Sequence, residues 1–188
     1  MKIFPYFSPE MLSNSYLIGP DKGGEAILID PGQLDTNLLM MIEDNNFYIK
    51  GVLITRFSPA HTHGLRTLLR VYDAQVYAHR NAVYEGSYYP VKDQEVLPFN
   101  NFNVQCQFIP EHYSDSVMYH LNDWVFTGDV LSAGNFGHTE NLFKNSNLKL
   151  ALTQGLFKME PKTQLFPGFG PPTTVEGETK WNLASHSS

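Results

Sequence analysis

The sequence predicts a single domain of the layered α/β class, built from alternating strands and helices along 188 residues. Three observations support this class: apolar runs of strand length recur, amphipathic helical segments lie between them, and clusters of Gly, Pro, Asn and Asp separate the two. We predict one domain over residues 1–182 and a polar C-terminal tail over residues 183–188. A chain of this length buries a core without needing disulfide staples.

The first elements are three strands and a helix. Residues 2–7 form a strand that Pro5 places at a sheet edge. Residues 14–19 and 25–30 form a hairpin, because Gly, Pro and Asp occupy the turn between them. A helix over residues 35–46 follows.

A central strand and a second helix come next. Residues 49–55 are rich in β-forming side chains and lead into a loop over residues 56–61. Residues 62–72 form a helix, since their apolar side chains recur at helical spacing. A short strand over residues 75–78 follows.

The second half contains the remaining strands and one long helix. A helix ended by Pro161 is predicted over residues 146–159. The predicted strands are 102–109, 116–121, 123–127 and 164–166.

Composition excludes several classes of protein. With 13 Lys and Arg against 19 Asp and Glu, the net charge is −6, which disfavours nucleic acid as a partner. Cys106 is the only cysteine, so no intrachain disulfide or cysteine-based zinc cage forms. No run of about 18 apolar residues and no signal-peptide core occurs. We therefore expect a cytoplasmic protein with no membrane partner.

Five motifs occur in an order that resembles the metallo-β-lactamase-fold hydrolases, and most nearly their glyoxalase II-like (hydroxyacylglutathione hydrolase-like) branch. The resemblance covers roughly residues 2–182 and implies a four-layer αββα sandwich: two mixed β-sheets flanked by helices. The motifs are Asn14-Ser15-Tyr16-Leu17-Ile18, Ile27-Leu28-Ile29-Asp30-Pro31-Gly32, Gly51-Val52-Leu53-Ile54-Thr55, Phe126-Thr127-Gly128-Asp129 and Phe166-Pro167-Gly168-Phe169-Gly170-Pro171.

The resemblance also locates the family's metal ligands, at seven positions that hold one or two ions, usually zinc. The family motif T-H-x-H-x-D-H corresponds to residues 55–61. Arg56 and Ser58 stand at its first two histidines, Ala60 stands at its aspartate, and only His61 matches.

Two further positions match downstream, and one does not. His112 matches the next ligand histidine and Asp129 the bridging carboxylate, whereas Phe169 stands where the family has its last histidine. The three surviving positions leave two ligands for each ion, which is fewer than a catalytic zinc site needs. Arg56 adds a fixed positive charge, and we hypothesise that it pairs with Asp129 in place of the metal.

The leading hypothesis is a pseudoenzyme of this fold that needs no cofactor and serves as a small-ligand binding or scaffold protein, with a homodimer as one form of assembly. An alternative is a hydrolase of a small thioester or ester with one zinc, iron or manganese ion on His61, His112 and Asp129, with His63 as a rewired ligand. A third hypothesis is a metal-free site in which Arg56, His61 and His112 bind a small anionic molecule.

Other polar and aromatic residues are assigned structural roles. Asp30 is expected to fasten a loop by accepting backbone N–H groups. The segment 137–140 resembles a G-R-x-D loop of the glyoxalase II-like branch with both charged positions changed. Four tyrosines are predicted to line a ligand groove or to pack in the core or an interface, and four side chains are expected outside any site. The tyrosines are Tyr84, Tyr88, Tyr89 and Tyr113, and the four side chains are His79, His120, His186 and Cys106.

Overall fold

Residues 1–100 and 102–182 are described by the computed structural model of the chain, which divides into two units, Met1–Val91 and the residues from Lys92 onwards. The predicted tail at 183–188, with His186, lies outside the described residues. The single domain over residues 1–182 stays a prediction. Across the described residues, every helix is too short or too polar to cross a bilayer.

The first unit is a mixed β-sheet with helices. Neighbouring strands are antiparallel from β1 to β3 and parallel from β3 to β6. Its elements are β1 (Lys2–Ser8), β2 (Ser13–Gly19), β3 (Gly24–Ile29), α1 (Thr36–Asp44), β4 (Phe47–Leu53), α2 (Pro59–Thr62), α3 (Leu65–Val71), β5 (Gln75–His79) and β6 (Tyr89–Val91).

The core of the first unit lies between this sheet and two of its helices. Leu38 of α1 and Leu68 of α3 are fully buried in one cluster with strand residues such as Leu28 and Val52. Asp35 begins α1, because its carboxylate accepts the N–H of Leu38 at 3.0 Å. The predicted strands of this unit and the helix α1 are confirmed, whereas β6 was not predicted. The predicted loop over residues 56–61 is wrong at its end, because α2 begins at Pro59, and the helix predicted over residues 62–72 begins at Leu65 as α3.

The second unit is also a mixed sheet with helices. In the described residues its order is β14-β13-β10-β9-β8-β7, and only the β10–β13 pair is parallel. The elements are β7 (Val96–Phe99), β8 (Phe102–Phe108), β9 (Val117–Leu121), β10 (Trp124–Gly128), β11 (Leu131–Ser132), β12 (Asn135–Phe136), α4 (Leu142–Gln154), β13 (Gln164–Pro167), β14 (Thr173–Thr174) and α5 (Val175–Trp181).

The long helix of the second unit differs from its predicted bounds of 146–159. It begins at Leu142, because the Asn141 side chain accepts the N–H of Lys144 at 2.9 Å and caps the helix. It ends at Gln154, since Gly155 leaves the helical conformation and a 3-10 turn follows over Leu156–Lys158. Leu148 and Leu152 are its buried side chains.

Candidate functional site

Asp30 anchors the loop that follows β4 to the end of β3. Asp30 is 2% exposed, and its carboxylate accepts two hydrogen bonds from Thr55, one from the N–H at 2.8 Å and one from the hydroxyl at 2.6 Å. The Asp30 backbone is left-handed, with φ of 51°, a conformation that Asp tolerates better than most residues. Its carbonyl accepts the Ser15 hydroxyl at 2.6 Å. The predicted loop-fastening role of Asp30 is confirmed.

His61 lies in the short helix α2 and is fully buried. Its Nδ1 is 3.3 Å from Oδ2 of Asp30, an ion-pair distance at an angle too poor for a hydrogen bond. The two atoms form an ion pair only when the ring is protonated, and Nδ1 lies on the side of the ring that faces the carboxylate. His63 ends the same helix and is exposed. The structure does not bring the two histidines together, because residues two apart on a helix face different ways.

Of the three substituted positions before His61, Arg56 and Ser58 lie on the loop after β4 and Ala60 lies in α2, and the backbone there is closely packed. The Ala60 carbonyl accepts the Ser13 hydroxyl at 2.6 Å, and a Cβ added to Gly32 would lie 2.2 Å from the same oxygen. Ser58 precedes α2 but does not cap it, and its buried Oγ has no hydrogen-bond partner. Arg56 is half-buried. Its predicted pairing with Asp129 stays a prediction.

In the second unit, His112 follows β8 and is 1% exposed. Its Nδ1 lies 2.9 Å from the Ser116 Oγ, so one ring nitrogen already has a protein partner. Asp129 comes directly after β10 and is half-buried. Phe169 lies just beyond β13 and is also half-buried, with an apolar ring where the family has an imidazole.

Gly137 lies against His112 and Asp129, the two ligand positions that this unit retains. A Cβ added to it would lie 2.1 Å from the Asp129 carbonyl oxygen and 2.9 Å from Nε2 of His112. Only glycine allows so close an approach of the backbone. The sequence singled out this loop but not the contact, because the loop and His112 are far apart along the chain.

The loop after β12 lines a cavity of about 640 Å³ together with the start of α4. Its exposed Glu140 pairs with Lys144 at 3.0 Å. Before it, the β11–β12 turn is held by Glu178 of α5, whose two carboxylate oxygens each lie 3.2 Å from the Gly134 N–H. Glu178 is 2% exposed and also accepts the Asn182 amide at 2.7 Å. No sequence motif predicts these hydrogen bonds of Glu178.

Three residues expected outside any site have structural surroundings. His79 ends β5, and its Nδ1 accepts the Asn81 N–H at 2.9 Å. His120 lies 2.8 Å from the Gln107 amide oxygen, and burial lowers its pKa to about 4. Cys106 is fully buried in β8, and burial, with the nearby carboxylates as a smaller cause, raises the pKa of its thiol to about 12.

Each of the four tyrosines that were predicted to line a groove contacts another aromatic ring. Tyr84 and Tyr88 lie with their ring centroids 6.3 Å apart, whereas Tyr89 contacts Tyr77 at 5.6 Å. Tyr113 belongs to the second unit, where its ring meets that of His112 edge-on at 4.7 Å. Tyr84, Tyr88 and Tyr89 belong to the first unit, and a groove lined by all four tyrosines stays a prediction.

The donor set does not fit the metal centre that the resemblance implies. Among residues 1–100 and 102–182, no group of three or more His, Cys, Asp or Glu side chains is placed to hold a metal ion. Ala60 and Phe169 offer no donor atom, and the Arg56 guanidinium is a permanent cation that repels one.

Residues 9–106, just over half of the chain, match the family model of the metallo-beta-lactamase superfamily. The chain belongs to this superfamily. A solved superfamily-fold structure, ETHE1 from Myxococcus xanthus, aligns with a TM-score of 0.87 at 27% identity, covering 100% of this chain and 86% of that one. The predicted fold class, with two mixed sheets and helices, is confirmed.

Two curated relatives of this superfamily protein carry hydrolase names. An atrochrysone carboxyl ACP thioesterase from Cryptosporiopsis sp. is 32% identical over 136 residues, which are 65% of this chain and 39% of the relative. A hydroxyacylglutathione hydrolase from Nitrosomonas eutropha is 27% identical over 144 residues, 75% of this chain and 55% of the relative. The chain thus spans about half or less of the length of these relatives.

Proposed function

We propose that this superfamily member has lost hydrolytic metal chemistry and acts as a metal-free small-ligand binding protein. The observation that carries the proposal is the chemistry at the seven ligand positions. Four of them hold Arg56, Ser58, Ala60 and Phe169, and the family ligands at these positions are three histidines and an aspartate. Hydrolysis by metal-bound hydroxide needs about three protein ligands on the ion, and the retained set supplies two for each of the two ions.

The surroundings of the substituted residues support the same proposal. The Ser58 hydroxyl is a weak neutral ligand, and it is buried without a partner. Arg56 brings to a ligand position a positive charge that no accessible pH removes. We infer that this charge substitutes for the charge of the missing ion and favours a small anion as the ligand.

Metal content tests the proposal directly. Protein purified without added metal is analysed for zinc, iron and manganese, and hydrolysis of a hydroxyacylglutathione thioester is measured on the same sample. We expect less than about one tenth of an ion per chain and no turnover above background. The matched variant carries Arg56→His, Ser58→His, Ala60→Asp and Phe169→His, and we expect it to take up zinc, because it restores all seven ligand types.

The alternative is a single-metal thioester hydrolase, which the thioesterase and hydrolase names of the relatives favour. It would be established, and the proposal overturned, by stoichiometric metal in the unmodified protein together with turnover that His112→Ala abolishes. Assembly as a homodimer, the absence of a nucleic-acid or membrane partner and a cytoplasmic location remain predictions, which size measurement in solution, binding assays and fractionation would test.

A further inference from the structure

The geometry points to a second ligand site in the first unit, one that binds a zwitterionic small molecule with an apolar side group, of the α-amino acid class. The site is a cavity of about 510 Å³, a volume typical of small-molecule sites. It lies between α3 and the loop that joins β5 to β6. Its lining residues are Arg66, Val83, Tyr84, Glu85 and Gly86.

Two side chains of opposite charge line this cavity without pairing. Arg66 projects from the exposed face of α3, and Glu85 belongs to the loop. Within the described part of the chain, the ion pairs formed by side chains involve other residues, so these two charges lie more than 4.0 Å apart. A guanidinium binds a carboxylate with paired hydrogen bonds, and a carboxylate binds an ammonium group.

The apolar wall of the cavity is held in a fixed orientation. The Tyr84 ring packs on Phe57 with centroids 4.9 Å apart and also contacts Tyr88. A Cβ added to Gly86 would lie 2.4 Å from the Tyr84 ring, so the loop backbone lies directly on that ring. Val83, which is 90% exposed, adds an apolar surface that no described residue covers.

The combination of charges selects the class of ligand. A simple anion would be attracted by Arg66 but repelled by Glu85. A simple cation would be attracted by Glu85 but repelled by Arg66. A molecule with both an ammonium and a carboxylate group satisfies both side chains, and an apolar side group can pack against Tyr84. None of the five lining residues is a superfamily ligand position, so this inference is independent of the metal question.

Titration calorimetry on the full chain tests this site with three probes that share one ring. L-phenylalanine carries both charges, 3-phenylpropanoate carries only the carboxylate, and 2-phenylethylamine carries only the ammonium group. We expect L-phenylalanine to bind with a Kd near or below about 1 mM and each single-charge probe to bind at least about tenfold more weakly. Absence of saturable L-phenylalanine binding up to 10 mM, where a ~1 mM site would be about nine-tenths filled, would overturn the inference.

Charge-neutral variants assign the two contacts. Arg66→Gln should weaken L-phenylalanine and 3-phenylpropanoate by about tenfold and should strengthen 2-phenylethylamine, because it removes the repulsion between two positive charges. Glu85→Gln should weaken L-phenylalanine and 2-phenylethylamine by about tenfold and should strengthen 3-phenylpropanoate. The matched control is Arg70→Gln, since Arg70 is exposed on the same helix but does not line the cavity. Binding by Arg66→Gln or Glu85→Gln equal to that of the unmodified protein, or equal losses in Arg70→Gln, would show that the cavity is not the site.

Discussion

Asp30 and Thr55 are joined by two hydrogen bonds, to the amide and to the hydroxyl of the same threonine, at 2.8 and 2.6 Å. The pair connects the end of β3 to the first residues of the loop after β4. Because the Asp30 carboxylate is buried and also faces His61, the start of this loop depends on one acidic side chain.

Replacing Asp30 should therefore destabilise the first unit strongly. Asp30→Ala removes the acceptor of two buried hydrogen bonds and places alanine in a left-handed conformation, so we expect a loss of about 3 kcal/mol or more in the free energy of unfolding. Chemical denaturation measures it. The control Asp44→Ala, at the exposed end of α1, should change stability by less than about 0.5 kcal/mol. A loss below about 1 kcal/mol for Asp30→Ala would contradict this account of the loop.

Gly137 and Gly134 should respond differently to alanine. At Gly137 the new Cβ would meet the Asp129 carbonyl at 2.1 Å, and backbone must move to admit it, so we expect a loss above about 3 kcal/mol. At Gly134 nothing lies within 4 Å, and only the positive φ of 82° opposes the change, at about 1 to 2 kcal/mol. Chemical denaturation of the two variants measures both losses in the free energy of unfolding. Equal losses would be inconsistent with the close packing at Gly137.

His120 should make stability fall in mildly acidic solution. Burial holds its pKa near 4 in the folded chain, against 6.5 for an ordinary histidine, so the unfolded chain takes up the proton first as pH falls. The stability contributed by neutral His120 is complete above about pH 6.5 and is lost between there and pH 4, by at most about 3 kcal/mol. Unfolding free energies of the unmodified protein and His120→Gln should converge over this range. A difference independent of pH would refute the assignment.

Cys106 should be unreactive towards thiol reagents while the chain is folded. A thiol with a pKa of about 12 has a thiolate fraction of roughly 10⁻⁴ at pH 8, and the side chain is also inaccessible. We expect labelling by a disulfide reagent to be at least about a thousandfold slower than in denaturant. Labelling of the native protein within seconds would mean that β8 is not packed as described.

Much of the first unit could be predicted from sequence, because its strands are apolar runs bounded by Gly, Pro and Asp. The bounds of α4 could not, since they depend on one capping side chain, Asn141, and on one glycine, Gly155. The helix also exposes Leu142 and Phe143 while burying Leu148, so its apolar residues do not follow a single stripe. Strands of two residues, such as β11, are too short to show any periodicity.

The candidate site was predictable in part for a similar reason. Sequence motifs locate His61, His112 and Asp129, because each follows a recognisable element. The partners Ser116 and Gly137 are set by packing between segments that a sequence motif does not connect. The role of Asp30 could be predicted, but its left-handed backbone could not.

The position of the Asp30–Thr55 pair has an evolutionary consequence. The segment from residue 56 to residue 60 is anchored by Thr55, which precedes every position at which the superfamily has a metal ligand in this segment. The side chains of this segment can therefore be substituted without loss of the fold. A protein that descends from a hydrolase can lose its metal ligands there, remain folded and acquire another function.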